Sequence, residues 1–215
     1  MIEAHTREII ASAIRGIPQA DSSASKRLSA LIEELEKWNK KYNLTAIRSP
    51  NEMIHGHIMD SLSALEFMEG KNVIDIGTGA GFPGLPLAIM RPNNNFLLID
   101  GNGKKIGFIK HIISLFELKN VQAKKIRAEN FFPDQLFDTV IARALTTLPK
   151  LISLSEHLLK EHGTIVAMKG KLPIKELNSL KNGWQYQTHS IRIDGMSNRE
   201  RHIILMNKNG HVICD

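Results

Sequence analysis

Val73-Ile74-Asp75-Ile76-Gly77-Thr78-Gly79-Ala80-Gly81-Phe82-Pro83-Gly84 decides how this chain folds. Four residues with the composition of a short buried strand run straight into glycines, and an apolar stretch over residues 85–90 continues as a helix. Strand, glycine turn and helix in that order open a parallel α/β unit, because glycine lets the backbone turn sharply and come close to a ligand. Toward the C-terminus the alternation continues. Phe96-Leu97-Leu98-Ile99-Asp100 reads as a second strand. Residues 104–118 read as a helix with Ile106, Ile109, Ile113 and Phe116 on one side, and residues 121–126 as a weak third strand. Residues 137–142 form a fourth strand, residues 148–159 a helix, residues 163–168 a fifth strand and residues 175–180 a short helix. Residues 185–193 and 202–206 close the pattern as two strands that pair. The expected fold class is α/β, a mostly parallel seven-stranded sheet with helices on both faces.

Toward the N-terminus the pattern is helical. Ile2, Ile9, Ile10 and Ile14 suit a short amphipathic helix ended near Gly16 and Pro18, and the polar stretch from Asp21 offers N-caps. Leu28, Leu31, Ile32, Leu35, Trp38 and Tyr42 recur at helical spacing opposite a charged face. Ser49-Pro50-Asn51-Glu52 has the form of a capping box with proline at the first helical position. From it, Ile54, Ile58, Leu62 and Leu65 continue one apolar face to Gly70. The expected organisation is a helical extension over residues 1–70 packed on a core domain over residues 71–215, as one structural unit.

Composition bounds the function. The chain has 215 residues, 42% hydrophobic and 23% charged, near the globular average. Lys+Arg minus Asp+Glu is 28 − 22 = +6, with a pI near 9.4. A basic balance favours an anionic partner, nucleic acid first. The single cysteine, Cys214, leaves no intrachain disulfide framework and no thiolate zinc site. Residues 1–15 lack the apolar core of a signal peptide, and no apolar run approaches the length of a membrane span. A cytoplasmic protein with no membrane association is the expectation.

The glycine loop suits two cofactors. Read from Gly79, Gly79-Ala80-Gly81-Phe82-Pro83-Gly84 spells the dinucleotide fingerprint, with Asp100 near the ribose-binding position, so a nicotinamide or flavin oxidoreductase is a rival. Three features favour S-adenosylmethionine instead. The strand ends at Ile76, which makes Gly77 the first loop glycine. Asp75 puts a carboxylate at the strand's end, suited to an ammonium group rather than a pyrophosphate. Phe82-Pro83 brings bulk and a missing N–H where a pyrophosphate wants backbone donors. In this reading the glycines Gly77 and Gly79 form the cradle, Asp100 binds ribose hydroxyls, and Ala128-Glu129-Asn130 lies where an adenine-contacting loop belongs. The ordinary alternatives are a helix cap for Asp100 and a solvated loop carboxylate for Glu129.

The reaction is narrowed by what is missing. Pyrimidine C5 methylation needs a cysteine nucleophile, and Cys214 stands at the chain end. Adenine amino methylation often uses an Asn/Asp-Pro-Pro-aromatic loop after the fourth strand, where this chain has Ile141-Ala142-Arg143-Ala144. Hydroxyl methylation wants a lysine base with carboxylate support; Lys169 keeps that option open, while Arg143 stands where the carboxylate would be useful. An acceptor that is already nucleophilic needs no general base, only alignment. Guanine N7 is such an acceptor.

Asn43-Leu44-Thr45-Ala46-Ile47-Arg48, His57-Ile58-Met59-Asp60-Ser61-Leu62, the glycine loop, Arg143-Ala144 and Lys169-Gly170 follow one another in the order of a known family. From Trp38 onward the chain resembles bacterial small-subunit (16S) rRNA methyltransferase G, also called glucose-inhibited division protein B. The resemblance implies a class I S-adenosylmethionine-dependent methyltransferase fold. It also implies methyl transfer to N7 of guanine 527 of 16S rRNA, within the 30S subunit or an assembly intermediate, with no metal and no obligate protein partner. By motif, the implied cofactor contacts are Gly77, Phe82, Ala128, Glu129 and Arg143. Gly101 stands where the family pattern has serine after Asp100. A catalytically silent RNA-binding protein is the remaining alternative.

Other residues carry weaker signals. Lys104 and Lys105, at a helix start, and Lys169, with Lys171 and Lys175, are candidates for RNA contact; a solvated face is the ordinary reading of each. Lys124-Lys125-Ile126-Arg127 reads as a solvated strand edge. His55 and His57 do not share a helix face, which disfavours a metal pair. His57 and Asp60 do share one, either over the cofactor pocket or as a tie between the N-terminal helices and the sheet. Trp38 and Tyr42 are spaced as packing contacts rather than base-stacking platforms.

Overall fold

The computed structural model describes residues 2–15, 17, 22–193 and 200–208. Gly16, Pro18, Asp21 and Cys214 lie outside the described residues. In chain order the elements are α1 (Ile2–Ala13), α2 (Ser22–Tyr42), α3 (Pro50–Met53), a π-helical stretch (Ile54–Met59), α4 (Asp60–Leu62), a 3-10 turn (Leu65–Phe67), β1 (Asn72–Ile76), α5 (Gly84–Met90), β2 (Asn95–Asp100), α6 (Gly103–Leu115), β3 (Val121–Lys125), a 3-10 turn (Ala128–Asn130), β4 (Phe137–Arg143), α7 (Leu148–Ser155), a 3-10 turn (Glu156–Leu158), β5 (Leu159–Lys169), α8 (Ile174–Leu177), β6 (Trp184–Ile191) and β7 (Arg201–Lys208).

The seven strands form one sheet in the order β3-β2-β1-β4-β5-β7-β6. β1 is central: Ile74 lies between Leu97 of β2 and Val140 of β4, both parallel to it. β7 runs antiparallel to β5 and to β6, so the closing strands pair as the sequence suggests. Alternate residues face opposite sides. Val73, Phe96, Leu98, Ile141, Val166 and Ile203 face a core built with α2, α5, α6 and the π-helical stretch. Ile74, Ile76, Leu97, Ile99, Val140, Ile165 and Ile204 face a second core closed by α7 and Leu177 of α8. α2 lies on α6, where Trp38 packs edge-on to Phe108 and against His111, and His111 pairs with Glu34 at 2.8 Å. The packing expectation for Trp38 and Tyr42 is met, since both rest against the first core.

Three expectations are corrected. The helix expected from Pro50 to Gly70 is not continuous. It passes from α3 through a π-helical stretch into α4 and then a 3-10 turn. The apolar stripe is still buried, at Ile54, Ile58, Leu62 and Leu65, but the wider turn redirects the polar side chains between them. The capping box is not made: Ser49 occupies the N-cap without a side-chain hydrogen bond, and its carbonyl accepts from Met53 N–H at 2.9 Å. Lastly, the helix expected over residues 148–159 stops at Ser155, and β5 begins at Leu159. Gly163, read as the strand's start, lies inside it. A side chain there would meet the carbonyls of Phe137 and Asp138 at 3.1 Å, so glycine permits the close crossing of β4.

Candidate active site

The strand order reverses beside β1, with β2 on one side and β4 on the other. In open α/β sheets ligands bind outside the carboxyl ends of the strands at such a point. Here those ends are Ile76, Asp100 and Arg143. Gly77, Gly79 and Gly81 take φ values of 65°, 63° and 91°, in the left-handed region that side chains disfavour. A side chain at Gly77 would also collide with the Leu145 side chain.

Five of the loop's amide hydrogens are engaged internally. Thr78 N–H donates to Ile99 O at 3.1 Å, and the N–H groups of Gly81 and Phe82 both donate to Thr78 O at 3.0 Å. Gly79 N–H donates to Asp100 Oδ2 at 3.0 Å, and Gly84 N–H to Asp75 Oδ2 at 2.8 Å. Asp75, expected to face a ligand's ammonium group, is instead fully buried beneath the loop. Its Oδ2 also accepts from the Thr78 hydroxyl, while its Oδ1 has no hydrogen-bond partner. Burial pushes the carboxyl up to about 7, against the lowering effect of Thr78 and Gly84. Asp75 therefore braces the loop from below.

Two cavities open on the loop. One, of about 370 Å³, is lined by Leu44, Thr45, His57, the glycine loop, Lys105 and Arg143. The other, of about 550 Å³, is lined by Asn102, Arg127, Ala128, Glu129, Thr146 and Lys150. Gly77, Asp100 and Leu145 border both. Of the residues expected to bind cofactor, Gly77, Gly79, Phe82, Asp100 and Arg143 thus meet at the first cavity, and Ala128 and Glu129 lie at the second. Asp100 does not cap α6. Asn102 does, accepting from Lys104 and Lys105 N–H, while Asp100 Oδ1 accepts from Asn102 N–H at 2.7 Å. Glu129 is half-exposed and 3.8 Å from Arg127.

Arg143 reaches back into the extension. Its Nη1 donates to Asp60 Oδ2 at 2.9 Å and to Gly56 O at 3.0 Å, and its Nη2 lies 3.1 Å from His57 Nδ1. Asp60, buried, also accepts from Arg201 Nε at 2.8 Å, so one carboxylate ties the end of β4 and the start of β7 to α4. His57 stacks on Phe82 at 4.5 Å and 19°, and its Nε2 lies 3.0 Å from Thr45 Oγ1. Burial, then the Arg143 charge, pushes the imidazole down to about 3. Both sequence readings of His57 hold: it borders the cavity and it ties the extension to the sheet.

The lysines separate. Lys105 borders the first cavity and Lys104 is exposed at the start of α6. Lys169 turns inward, donating to Thr146 O at 2.7 Å and Glu176 Oε2 at 2.9 Å, which makes it a strut for the loop after β4 rather than a free cation. Thr45, Leu145 and Arg201 were not singled out by sequence reasoning. For Thr45 the signal was present, in the motif block that contains it.

The sequence model of the rRNA small subunit methyltransferase G family matches residues 24–204. The chain is 43% identical over 174 residues to ribosomal RNA small subunit methyltransferase G of Legionella pneumophila strain Corby, covering 80% of this chain and 82% of that protein. It is 42% identical over 180 residues to the protein of the same name from Idiomarina loihiensis, with 83% and 87% coverage. Among solved structures, the ribosomal protein L11 methylase of Lactobacillus delbrueckii superposes with a TM-score of 0.56 at 18% identity, over 70% of this chain and 77% of that one. TYW2 of M. jannaschii in complex with AdoMet gives 0.53 at 18%, over 69% and 76%. The chain thus carries the class I methyltransferase fold and belongs to the rRNA small subunit methyltransferase G family.

Proposed function

We propose that the protein transfers a methyl group from S-adenosylmethionine to N7 of one guanine in 16S rRNA, the base at position 527 that the family resemblance implies. The observation that carries the choice of cofactor is the glycine loop, whose N–H groups at Thr78, Gly79, Gly81, Phe82 and Gly84 are all engaged within the protein. A pyrophosphate needs such donors free, which counts against the oxidoreductase alternative. Two neighbouring cavities that share Gly77, Asp100 and Leu145 and are bordered by the Asp100 and Glu129 carboxylates suit a ligand that carries a ribose and an adenine but no phosphate. Asp100 would hold the ribose hydroxyls, Ala128 and Glu129 the adenine, and Gly77, Gly79, Phe82 and Arg143 the amino-acid end.

When bound, the cofactor supplies a methyl carbon on a sulfonium; the carbon–sulfur bond breaks as the nitrogen–carbon bond forms, and the positive charge passes to the base. Guanine N7 loses no proton in this exchange, so the protein's work is alignment and exclusion of water. The first cavity suits that task. Its imidazole, His57, has both ring nitrogens engaged and a proton affinity far below neutrality, so it is held as a wall rather than offered as a base. Lys105 at the rim and the exposed Lys104 beside it supply cations for phosphates flanking the target.

The test is transfer of labelled methyl from S-adenosylmethionine to unmodified 30S subunits and to naked 16S rRNA, with mapping of the product. Label at a single guanine N7 is expected, mainly in subunits. Tight NADH binding with no S-adenosylmethionine binding overturns the reading. Cofactor binding without label in either substrate overturns the choice of acceptor.

A further inference from the structure

The motif Asn43-Leu44-Thr45-Ala46-Ile47-Arg48 has no role in the reading above, although Leu44 and Thr45 border the first cavity. The loop that carries it is built to hold one side chain. Asn39, buried at the end of α2, accepts from Thr45 N–H at 2.9 Å and donates to Ile47 O at 3.2 Å. Arg48 donates to Asn43 Oδ1 at 3.0 Å, and Asn43 takes the left-handed conformation that turns the chain. Thr45 is fixed by its neighbours rather than by its own exposure.

The hydrogens around Thr45 follow from one donor that cannot be reversed. Arg143 is a guanidinium and only donates. Its Nη2 at 3.1 Å makes His57 Nδ1 an acceptor, so that nitrogen carries no proton. The neutral imidazole then carries its single proton on Nε2. That N–H donates to Thr45 Oγ1 at 3.0 Å, and Ile47 N–H donates to the same oxygen at 3.2 Å. Both lone pairs of the hydroxyl are occupied, so its hydrogen must be given away. Among the described residues the hydroxyl has no further partner. A relay from Asp60 through Arg143 and His57 ends in an O–H donor at the cavity wall.

That wall belongs to the extension and does not border the second cavity, where Ala128 and Glu129 lie. An acceptor oxygen brought in from outside the sheet meets it. Guanine presents two adjacent acceptors on one edge, N7 and O6. We propose that the Thr45 hydroxyl donates a hydrogen bond to O6 of the target guanine and so orients N7 toward the methyl carbon. Adenine offers an amino group at that position, and a hydroxyl whose lone pairs are both taken cannot accept from it. The relay thus selects guanine over adenine. This inference rests on the proposed guanine-N7 reaction.

The experiment is a cycle between protein and base. Wild type, Thr45→Val and Thr45→Ser are assayed on 30S subunits reconstituted with guanine or 2-aminopurine at the target; 2-aminopurine keeps N7 and lacks O6. S-adenosylmethionine binding is measured in parallel by calorimetry. Expected are a loss of about 10- to 100-fold in kcat/KM for Thr45→Val on guanine, as for a removed buried hydrogen bond, near-recovery for Thr45→Ser, and unchanged cofactor affinity. Expected too is a similar loss for wild type on 2-aminopurine, with no further loss when both changes are combined. A merely structural role for Thr45 would make the two losses multiply, which overturns the proposal. Weakened cofactor binding by Thr45→Val assigns the hydroxyl to the methyl donor and also overturns it. If wild type methylates no guanine, the underlying reaction is wrong and this inference falls with it.

Discussion

Gly77 shows how one position can carry the site. Its φ of 65° and the Leu145 side chain above it leave no room for substitution. Gly77→Asp would add strain, a clash and a charge beside Asp100. Calorimetry of this variant is expected to show no S-adenosylmethionine binding, while circular dichroism still reports a folded sheet. Normal methyl transfer by it would remove the loop from the site. Asp75 and His57 allow a test with opposite signs. Asp75 has a folded-state proton affinity raised to about 7, so its contribution is present below the unfolded value near 3.8 and is lost as pH rises through about 7. His57 is depressed from 6.5 to about 3, so its contribution is present above 6.5 and is lost as pH falls through about 3. Between about pH 4 and 6.5 the two slopes, each at most about 1.4 kcal/mol per pH unit, oppose one another. Asp75→Asn should therefore uncover stability that rises with pH in this window, and His57→Gln stability that falls. Denaturant midpoints across the window decide it; parallel profiles for the two variants would show that neither group titrates as described.

At the scale of elements, α5 is the tightest joint. Every residue from Gly84 to Met90 is buried, and the helix reaches the sheet because Gly84 has no side chain. A methyl there would meet Asp75 Oδ2 and Leu98 Cγ, both at 2.7 Å. Gly84→Ala is expected to cost about 1–3 kcal/mol, typical of overpacking, read as a lower chemical-denaturation midpoint; unchanged stability would mean that α5 can slide. Strands β1, β2 and β4 were legible in the sequence because each is rich in apolar residues and largely buried, and buried parallel strands need little else. Where two patterns overlap, the sequence was less clear. The stripe Ile54, Ile58, Leu62, Leu65 has the same form on an α-helix and on one widened by a π turn, and only the tertiary contacts of His57 and Asp60 distinguish them. Gly163 reads as the first residue of the fifth strand, yet it lies within β5, because glycine is placed there for a neighbour's backbone and not for a strand end. In the site, the loop glycines and Asp100 were legible as a local motif. The engagement of Arg143 with Asp60, 83 residues away, was not, since no spacing rule reports a contact at that distance.

Across the whole molecule the question is whether the N-terminal helices are an attachment or part of the fold. Leu28, Leu31 and Leu35 of α2 and Ile54 and Ile58 of the π-helical stretch belong to the same buried cluster as Phe82, Leu85 and Phe108 of the sheet domain. Asp60 adds a polar joint, its carboxylate shared between Arg143 and Arg201. Removing one partner of a buried ion pair typically costs about 3–5 kcal/mol, because the remaining charges lose their compensation. We therefore expect residues 1–70 and 71–215 to unfold together. The chain's two tryptophans make this measurable, since Trp38 lies in α2 and Trp184 at the start of β6. Trp184→Phe leaves a fluorophore only in the extension, and Trp38→Phe leaves one only at the far edge of the sheet. In each variant the remaining tryptophan and far-UV circular dichroism should report one coincident urea transition. Asp60→Ala should lower both midpoints together. An early transition seen by Trp38 alone would show an extension that detaches while the sheet stands. The relay from Asp60 to Thr45 would then be a docked state rather than a fixed feature of the fold.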